Sequence, residues 1–392
     1  MRIVRFSIYL LRLPLRHEIK HASAARSDSV NVLIACDLAD GTRGWGEGVP
    51  RSYVTGETPV GVVEQLRATD LAAQWSDDCE SWPDVIAMCD RFAPAAVRED
   101  PRGCYGNALR CAVELSVLDA FGQRFGEPVS RVTAHLASAA NIATTLSTVR
   151  YSGAVTAASP RREATSAVKM RLYGFRDCKV KVAVGGDEAA RLRRLRRWLG
   201  GRMVIRIDAN EGWSADVAAK QIESLARYGI ASVEQPVRHE EVDALAEIRK
   251  QVATPIMLDE SLTGMQDAEQ AVRTQTCDLF NIRLSKCGGY LHSLRLAAYA
   301  HQSGLGYQLG CHPGESPILS AAGRHWATTV RDVRFLEGSY DRHLLTRLLT
   351  HEDITFGYGG RAAALTRPGL GVSVDAKALR DLAEPQSVVE VL

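Results

Sequence analysis

The stretch FRDCKVKVAVGGDE (residues 175–188) places two lysines, Lys179 and Lys181, two positions apart in a run rich in valine and alanine. Side chains of an extended strand alternate between its two faces, so both ammonium groups are predicted to point the same way. The flanking valines indicate a buried strand. In one interpretation the lysines lie at a strand end and reach solvent or pair with acids. In the other, one lysine is a base whose pKa is lowered by its like-charged neighbour and by burial.

Beyond about residue 140, short apolar runs alternate with segments of helical periodicity, a pattern that predicts parallel strands joined by crossover helices. The runs are CKVKVAV, MVIRIDAN, ASVEQP, PIMLDES, LFNIRLSKCGG and GYQLGCHPGE. Charged residues recur in them at intervals of 27, 26, 25 and 24 positions. The series is Lys181, Asp208, Glu234, Asp259 and Arg283.

Each interval holds one strand, one helix and two loops, so a charged residue returns at the C-terminal end of every strand. In a (β/α) barrel these ends converge on the face where active sites form. A doubly wound open sheet is the alternative, and it would spread the same residues along a row without a common focus. The regular spacing favours the barrel.

The first part of the chain, up to about residue 129, has a different pattern of strands, a hairpin and helices. The N-terminus, MRIVRFSIYLLRLPLR, alternates polar and apolar residues and predicts a strand rather than a signal peptide. Another strand is predicted over residues 31–37, and a helix over 106–126 that ends at Gly122 or Gly126. The apolar face of that helix comprises Leu109, Val113, Val117 and Ala120. This part is therefore predicted to be an α+β module.

The amino-acid composition bears on which partners the protein is expected to bind. The 392 residues carry 48 Lys and Arg against 46 Asp and Glu, and this balance gives no reason to expect nucleic-acid or membrane partners. The basic run RLRRLRR (residues 191–197) is predicted to be the solvated face of a helix whose Leu192, Leu195 and Leu199 face inward. No apolar run approaches the roughly 18 residues of a membrane span. Nine cysteines without a CxxC pair indicate reduced thiols in a cytoplasmic protein.

Asp208, Glu234 and Asp259 come from three consecutive predicted strands and aim at one point. Carboxylates in a low-dielectric site repel each other, so a positive group must lie between them. Oxygen ligands that leave positions open for water or substrate suit Mg²⁺ best. Each acid alone is explained as a strand-end or capping residue, but the shared phase and the preceding lysines favour a metal site. Residues predicted to support the ligands are Asn210, Gln235 and Glu260.

The motifs KVK, DAN, VEQP, LDES and SKCGG together resemble the enolase superfamily, on its muconate-lactonizing and dipeptide-epimerase side. GWGEG (44–48) and YVTGET (53–58) are similar to its capping-domain loops, and PGLGVSVD (368–375) to its C-terminal return. The resemblance implies a modified (β/α)7β barrel of the TIM type with an α+β capping domain. It places the capping domain at residues 1–129, the barrel at 130–361 and the return to the cap at 362–392.

The same resemblance implies a mechanism and partners. A Mg²⁺ ion stabilises the enolate formed when a base removes the proton alpha to a carboxylate. Lys181 is then the base, and Lys179 lowers its pKa and contacts the carboxylate of a small-molecule substrate. A homo-oligomer, either a dimer or an octamer, is also implied.

The sixth predicted strand departs from the family pattern. The family commonly has a lysine where NIRLSKCGG has Arg283, and an arginine cannot act as a base near neutral pH. Lys286 matches a later lysine that is not the usual proton carrier, and it is predicted to support the metal ligands. His312, after the seventh strand, corresponds to a histidine acid/base of mandelate-racemase-like members, although Arg283 stands where those members have its aspartate partner. Glu337 ends the next strand, where the family often has an acid that contacts the substrate.

These observations predict an enzyme, an isomerase or lyase of the cycloisomerase kind, in which only Lys181 moves the proton. One alternative is a racemase or epimerase of an amino-acid derivative or dipeptide that uses His312 as the second base. Another is a metal- or anion-binding scaffold that has lost its activity, against which the intact lysines and carboxylates argue. Residues of the cap loops predicted to bind the substrate are His21, Arg26, Arg51 and Tyr53.

Overall fold

A computed structural model of the chain describes residues 1–20, 25–156 and 159–391. The strands, in chain order, are β1 Ile3–Lys20, β2 Ala25–Leu38, β3 Arg43–Gly48, β4 Thr148–Arg150, β5 Gly153–Val155, β6 Asp177–Lys181, β7 Val204–Asp208, β8 Ile230–Glu234, β9 Ile256–Leu258, β10 Leu279–Ile282, β11 Gly306–Leu309, β12 Val333–Leu336, β13 Arg361–Ala363 and β14 Ala383–Glu390. The helices are α1 Pro59–Ala68, α2 Leu71–Gln74, α3 Trp82–Arg91, α4 Asn107–Phe125, α5 Val132–His135, α6 Pro160–Leu172, α7 Glu188–Leu199, α8 Ala215–Ala226, α9 Leu245–Gln251, α10 Met265–Thr274, α11 Tyr290–Gln302, α12 Pro317–Thr329, α13 Asp341–Leu344 and α14 Ala376–Leu382.

The larger sheet has eight strands in the order β12-β11-β10-β9-β8-β7-β6-β5, and each of its ladders is parallel. Neighbours in this sheet are consecutive in the chain, and helices α6 to α12 connect them. The Ser152 amide, just before β5, donates to the carbonyl of Leu336 on β12 at 2.7 Å, so the two outer strands meet. The predicted (β/α)7β barrel is confirmed. The open doubly wound sheet is excluded, because the strand order never reverses.

The smaller sheet belongs to the cap and has the order β14-β1-β2-β3, with antiparallel ladders. Strand β2 begins earlier than the predicted 31–37, because its ladder with β1 continues to Asp28 and beyond. The C-terminal strand β14 pairs with β1, so the end of the chain joins the N-terminal sheet. The boundaries proposed at residues 129/130 and 361/362 remain predictions.

The alternating glycines of GWGEG explain how helix α4 packs on β3. A Cβ atom added at Gly44, Gly46 or Gly48 would overlap the backbone of α4. Only glycine therefore permits this close approach of helix and strand. Helix α4 ends at Gly126, which has φ +70°, and Gly122 lies inside the helix.

The basic run on α7 is only partly as predicted. Leu192, Leu195 and Leu199 are buried, as expected for the inward face of an amphipathic helix. Arg191 is buried too, and this contradicts its assignment to the solvated face. Its Nε donates to Glu163 Oε1 at 2.6 Å, and its guanidinium also donates to the carbonyl of Lys181. A buried carboxylate on α6 therefore draws this arginine inward.

The structure also bears on two further predictions, that the cysteines are reduced and that the chain has no membrane span. All nine cysteines are free thiols, as predicted. Across residues 1–20, 25–156 and 159–391, none of the helices combines the length and the apolar character needed to span a bilayer.

Glu47 of β3 joins the cap to the barrel. Its buried carboxylate accepts hydrogen bonds from Asn31 Nδ2 at 2.6 Å, from the Ser316 amide at 3.0 Å and hydroxyl at 2.6 Å, and from the Leu319 amide at 3.2 Å. These amides are the first turn of α12, where an anion is favoured.

Changing Glu47 to Ala is expected to lower the free energy of unfolding by about 3 kcal/mol, because several buried donors lose their acceptor. Urea denaturation measures this change. Glu64→Ala, at an exposed position on α1, is the matched control and should stay within about 0.5 kcal/mol of the wild type. Equal stability of the two variants would show that the carboxylate does not hold the cap to the barrel.

Candidate active site

Three carboxylates meet at the C-terminal ends of adjacent barrel strands. Asp208 ends β7, Glu234 ends β8, and Asp259 follows β9 directly; each is about 1% exposed. Asp208 and Glu234 are direct neighbours in the sheet. Lys179 Nζ lies between two of them, 3.5 Å from Asp208 Oδ2 and 3.3 Å from Glu234 Oε1. Arg283 joins the third, because it contacts the Asp259 carboxylate and lies 3.6 Å from Glu234 Oε1. The acids therefore converge on one region, as their spacing predicted.

The donor set fits a hard cation such as Mg²⁺. It consists of carboxylate oxygens, and Glu234 Oε2 is a buried atom without a hydrogen-bond partner in the described part of the chain. Burial raises the pKa of Glu234; Lys179 opposes this effect, and the charges of Asp208, Glu337 and Asp259 add to it. Burial therefore disfavours the charged form of Glu234, and a divalent cation bound to its carboxylate would offset this cost.

Lys179 and Lys181 lie on one face of β6, since the intervening Val180 and the preceding Cys178 are fully buried. Their ammonium groups have different partners. Lys179 Nζ donates to Glu337 Oε2 at 2.9 Å besides its contacts to the acids of β7 and β8. Burial would lower the pKa of Lys179, but the surrounding carboxylates of Glu234, Glu337 and Asp208 raise it well above its ordinary value. Lys179 thus stays charged.

Lys181 Nζ donates instead to Asn210 Oδ1. The amide nitrogen of the Asn210 side chain donates to Glu260 Oε1 at 3.4 Å, and its backbone N–H donates to Asp208 Oδ1 at 3.0 Å. Asn210 has φ +43°, in the left-handed region that asparagine adopts more readily than most other non-glycine residues. This asparagine therefore fixes the lysine relative to the Asp208 loop.

Gln235 and Lys286 hold Asp259 in place. Gln235 Oε1 accepts from the amides of Asp259 at 2.9 Å and Ser261 at 3.1 Å. Lys286 Nζ donates to Asp259 Oδ1 at 2.7 Å and to the Asp259 carbonyl at 2.6 Å. Arg283 and Lys286 lower the pKa of Asp259 despite its burial, so this acid stays ionised.

Two residues near the site were missed from the sequence. Arg206 on β7 is fully buried, donates to Glu337 Oε1 at 3.0 Å and lies 4.3 Å from the centre of the Phe335 ring. Asn281 on β10 donates to Glu234 Oε1 at 3.0 Å. Arg206 lies two positions before Asp208 and so shares its face of the strand; this parity is the signal that could have found it.

His312 lies in the loop after β11 and is 2% exposed. Its amide donates to Glu315 Oε1 at 2.6 Å, and its Nδ1 lies 3.7 Å from the same oxygen. Burial, and then the charges of Arg283 and Arg51, lower the pKa of His312 well below its ordinary value. The imidazole is therefore neutral at pH 7.

A cavity of about 590 Å³ lies between the cap and the barrel mouth. Tyr53 lines it on the cap side and Asn210 on the barrel side. Arg51 is buried beside it and donates to Ser29 Oγ at 2.6 Å and to the Pro50 carbonyl at 2.8 Å, both within the cap. His21 and the side chain of Arg26 lie outside the described part of the chain.

Comparison with known proteins agrees with this geometry. The family model described as enolase C-terminal domain-like matches residues 161–378. A hydrophobic dipeptide epimerase of Enterococcus faecalis is 28% identical over 387 residues, 98% of each chain. Muconate cycloisomerase 1 of Rhodococcus opacus is 27% identical over 97% of this chain and 98% of its own.

A crystal structure shows the likeness of fold. The dipeptide epimerase of Cytophaga hutchinsonii, solved with Mg and the dipeptide D-Ala-L-Val, superposes with a TM-score of 0.82 over the full length of both chains. The two sequences are 24% identical, so this likeness concerns the fold alone.

Proposed function

The chain belongs to the enolase C-terminal domain-like family and is an enzyme of the enolase superfamily; from this premise we propose that it removes the proton alpha to the carboxylate of a small-molecule acid. The observation that carries the proposal is the convergence of Asp208, Glu234 and Asp259 beside Lys181, at the ends of four neighbouring strands. The proposed cofactor is Mg²⁺.

Asp208, Glu234 and Asp259 would hold the ion. When bound, Mg²⁺ would stabilise the negative charge that develops on the substrate carboxylate as the alpha proton leaves. Gln235 and Lys286 support this role, because they fix the backbone and the carboxylate of Asp259. Loss of such supporting contacts typically lowers metal affinity by about tenfold or more.

Lys181 is the proposed base. Asn210, whose backbone amide also donates to Asp208, holds Lys181 Nζ at the barrel mouth. Lys179, which stays charged among its three acidic neighbours, is placed to bind the substrate carboxylate and to balance its charge. A closed cap over this site would exclude water and so strengthen these electrostatic interactions.

Arg283 supports a reaction in which only one group moves the proton. It follows β10, which is four strands away from β6 in the eight-stranded sheet and therefore across the barrel. Its guanidinium stays protonated and cannot accept a proton from the substrate face opposite Lys181. Cycloisomerisation or elimination on the Lys181 face is the chemistry that fits.

Epimerisation or racemisation is the second candidate, and two observations favour it. Several relatives are named epimerases or racemases, the hydrophobic dipeptide epimerase of Enterococcus faecalis among them. His312 is buried near Arg283, and its Nδ1 has no hydrogen-bond partner among the described residues. Against it stands the lowered pKa of His312, which makes the imidazole a weak base.

Hydrogen exchange in D₂O tests the proposal. The enzyme with Mg²⁺ would be incubated with a panel of hydrophobic dipeptides and with muconate and its lactone, followed by proton NMR of the alpha hydrogens. At least one acid should lose its alpha-hydrogen signal or form product, and chelation of the metal should prevent this. A panel in which exchange is equally fast without Mg²⁺ would contradict the proposed chemistry.

Arg283→Lys is expected to place a proton carrier across the barrel from Lys181. Because a lysine can lose its proton, exchange from the second face of the substrate should appear, about 10-fold or more above the wild type. Chiral chromatography of the recovered acid measures this gain. Arg283→Gln is the control, since it removes the charge without supplying a base; an equal gain in both variants would show that loss of the guanidinium is the cause.

A further inference from the structure

Arg206 places a charge in the interior of the barrel. Barrel interiors are usually filled by bulky branched side chains, yet Arg206 is 0% exposed. Its Nη1 donates to Glu337 Oε1 at 3.0 Å and to Gln308 Oε1, while its Nη2 lies 3.5 Å from Asp177 Oδ1. Among the described residues, Arg206 forms no hydrogen bond or ion pair with Lys181 or with the three proposed metal ligands. Because a buried cation is costly unless it is paired, its acidic partners explain how it is tolerated.

Glu337 joins Arg206 to Lys179. Its backbone N–H donates to the Leu309 carbonyl at 2.8 Å, which fixes the residue just after β12. Its two carboxylate oxygens have different partners, since Oε1 accepts from Arg206 at 3.0 Å and Oε2 accepts from Lys179 Nζ at 2.9 Å. The side chain is only 7% exposed. The orientation of this carboxylate is therefore set by one cation and presented to the other.

Lys179 has three acidic neighbours, and two of them have another proposed role. Asp208 and Glu234 are proposed ligands of Mg²⁺, and a carboxylate that binds the ion has less charge to offer an ammonium group. Glu337 is not among those ligands. It also lies nearest to Lys179 Nζ, at 2.9 Å against 3.3 Å for Glu234 and 3.5 Å for Asp208. Glu337 is therefore the acid best placed to fix Lys179.

We propose that Arg206 is a positioning residue for substrate binding: it holds the carboxylate of Glu337, and this carboxylate fixes Lys179 Nζ where the substrate carboxylate would bind. The inference rests on the proposed function, in which Lys179 binds that group. Glu337 then supports Lys179 and does not itself contact the substrate, because both of its oxygens already accept hydrogen bonds from cations. Arginine suits this role because its planar guanidinium donates in fixed directions, whereas an ammonium group on a flexible chain does not.

Arg206→Gln keeps a polar side chain but removes the guanidinium. KM for the acid found in the exchange screen should rise about 10-fold, because Lys179 is no longer held at the substrate carboxylate. The value of kcat should stay within about threefold, because Lys181 is held by Asn210 and not by Arg206.

A double variant tests whether Arg206 acts through Glu337. Glu337→Gln should raise KM as Arg206→Gln does, and Arg206→Gln/Glu337→Gln should be no worse than either single variant, because the two residues act in series. Increases in KM that multiply in the double variant would overturn the inference.

The position of Lys179 can also be observed without a substrate. In a crystal structure of Arg206→Gln, compared with one of the wild type, the Glu337 carboxylate should turn and its hydrogen bond to Lys179 should be lost. A Lys179–Glu337 hydrogen bond that persists in the variant would overturn the inference, whether or not any acid is turned over. Displacement of Lys179 together with a failed exchange screen would support positioning by Arg206 and count against the proposed function alone.

Arg196→Gln is the matched control. Arg196, on α7, is half-buried, and its guanidinium donates to the carbonyls of Met203 at 2.6 Å, Gly229 at 2.8 Å and Tyr228 at 2.9 Å. Its loss therefore removes several hydrogen bonds without touching the site, so thermal stability should fall while KM stays at the wild-type value. An equal rise in KM in Arg196→Gln and Arg206→Gln would show that lost stability is the cause.

Arg206→Lys keeps the buried charge and serves if Arg206→Gln does not fold. A lysine cannot reproduce the fixed fork of the guanidinium, so KM should rise in the same direction, by about threefold. An unchanged KM in this variant, with Lys179 still bonded to Glu337 in its crystal structure, would overturn the inference.

Discussion

Lys181→Ala is expected to slow alpha-proton exchange by about 10³–10⁴-fold, the range that a positioned general base contributes. The methyl group of alanine can neither reach the substrate nor accept a proton. The effect should fall on kcat more than on KM, because Lys181 contacts Asn210 rather than the acids that would hold the metal and the substrate carboxylate. Rates measured by NMR in D₂O, with the acid found in the exchange screen, give this comparison.

Two controls separate catalysis from folding. Lys220→Ala removes an exposed lysine on α8 and should leave the exchange rate unchanged. Lys181→Ala itself should keep the circular dichroism spectrum and the Mg²⁺ affinity of the wild type within about threefold, because its partner Asn210 remains bonded to Glu260 and Asp208. Exchange at the wild-type rate in Lys181→Ala would show that another group is the base.

Removal of the three carboxylates should have the second large effect. The variant Asp208→Asn/Glu234→Gln/Asp259→Asn keeps side-chain volume but loses the charges, and Mg²⁺ affinity measured by calorimetry should fall by at least about 100-fold. Alpha-proton exchange should disappear with it. The matched control is Glu241→Gln/Asp243→Asn/Glu247→Gln, three exposed acids near α9, which should bind Mg²⁺ like the wild type.

A second group of potential ligands needs its own control. The ligand atoms of Glu211, His239 and Glu240 lie within 4.8 Å of one another at the edge of the cap cavity. Weak Mg²⁺ binding there would be abolished by Glu211→Gln. If the triple carboxylate variant kept the wild-type affinity and Glu211→Gln lost it, the assignment of the metal to the barrel strands would be wrong.

The barrel was predictable from the sequence because its signal is local and repeated. Every interval between Lys181 and Arg283 contains one strand and one α-helix. The number of residues in each interval is therefore enough to predict that every charged residue lies at the end of a strand. The start of β2 was not predictable, because pairing with β1, not the composition of residues 25–30, extends it. Arg191 was misplaced for a similar reason: periodicity assigns a helix face but cannot reveal a buried acid on the neighbouring helix.

For the site, the position of the acids was predictable from the sequence, but the hydrogen-bond partners of the lysines and the presence of Arg206 were not. The convergence of Asp208, Glu234 and Asp259 follows from strand order, and the structure shows it. The different hydrogen-bond partners of Lys179 and Lys181 could not be predicted. Alternation along a strand shows which face a side chain lies on, but it does not show which group accepts its hydrogen bond. Arg206 was overlooked because an arginine inside an apolar strand is unexpected unless a buried acid such as Glu337 is already known to face it.

The stereochemistry of exchange in D₂O tests the central claim most directly. The wild-type enzyme and Mg²⁺ would be incubated with the acid found in the screen, and the recovered acid examined by NMR and chiral chromatography. If Lys181 alone moves the proton, deuterium enters the alpha position with retention of configuration, because Arg283 cannot act on the other face. Deuterium that enters both faces of the wild-type substrate, and only one face in His312→Asn, would contradict the account and establish epimerisation by Lys181 and His312.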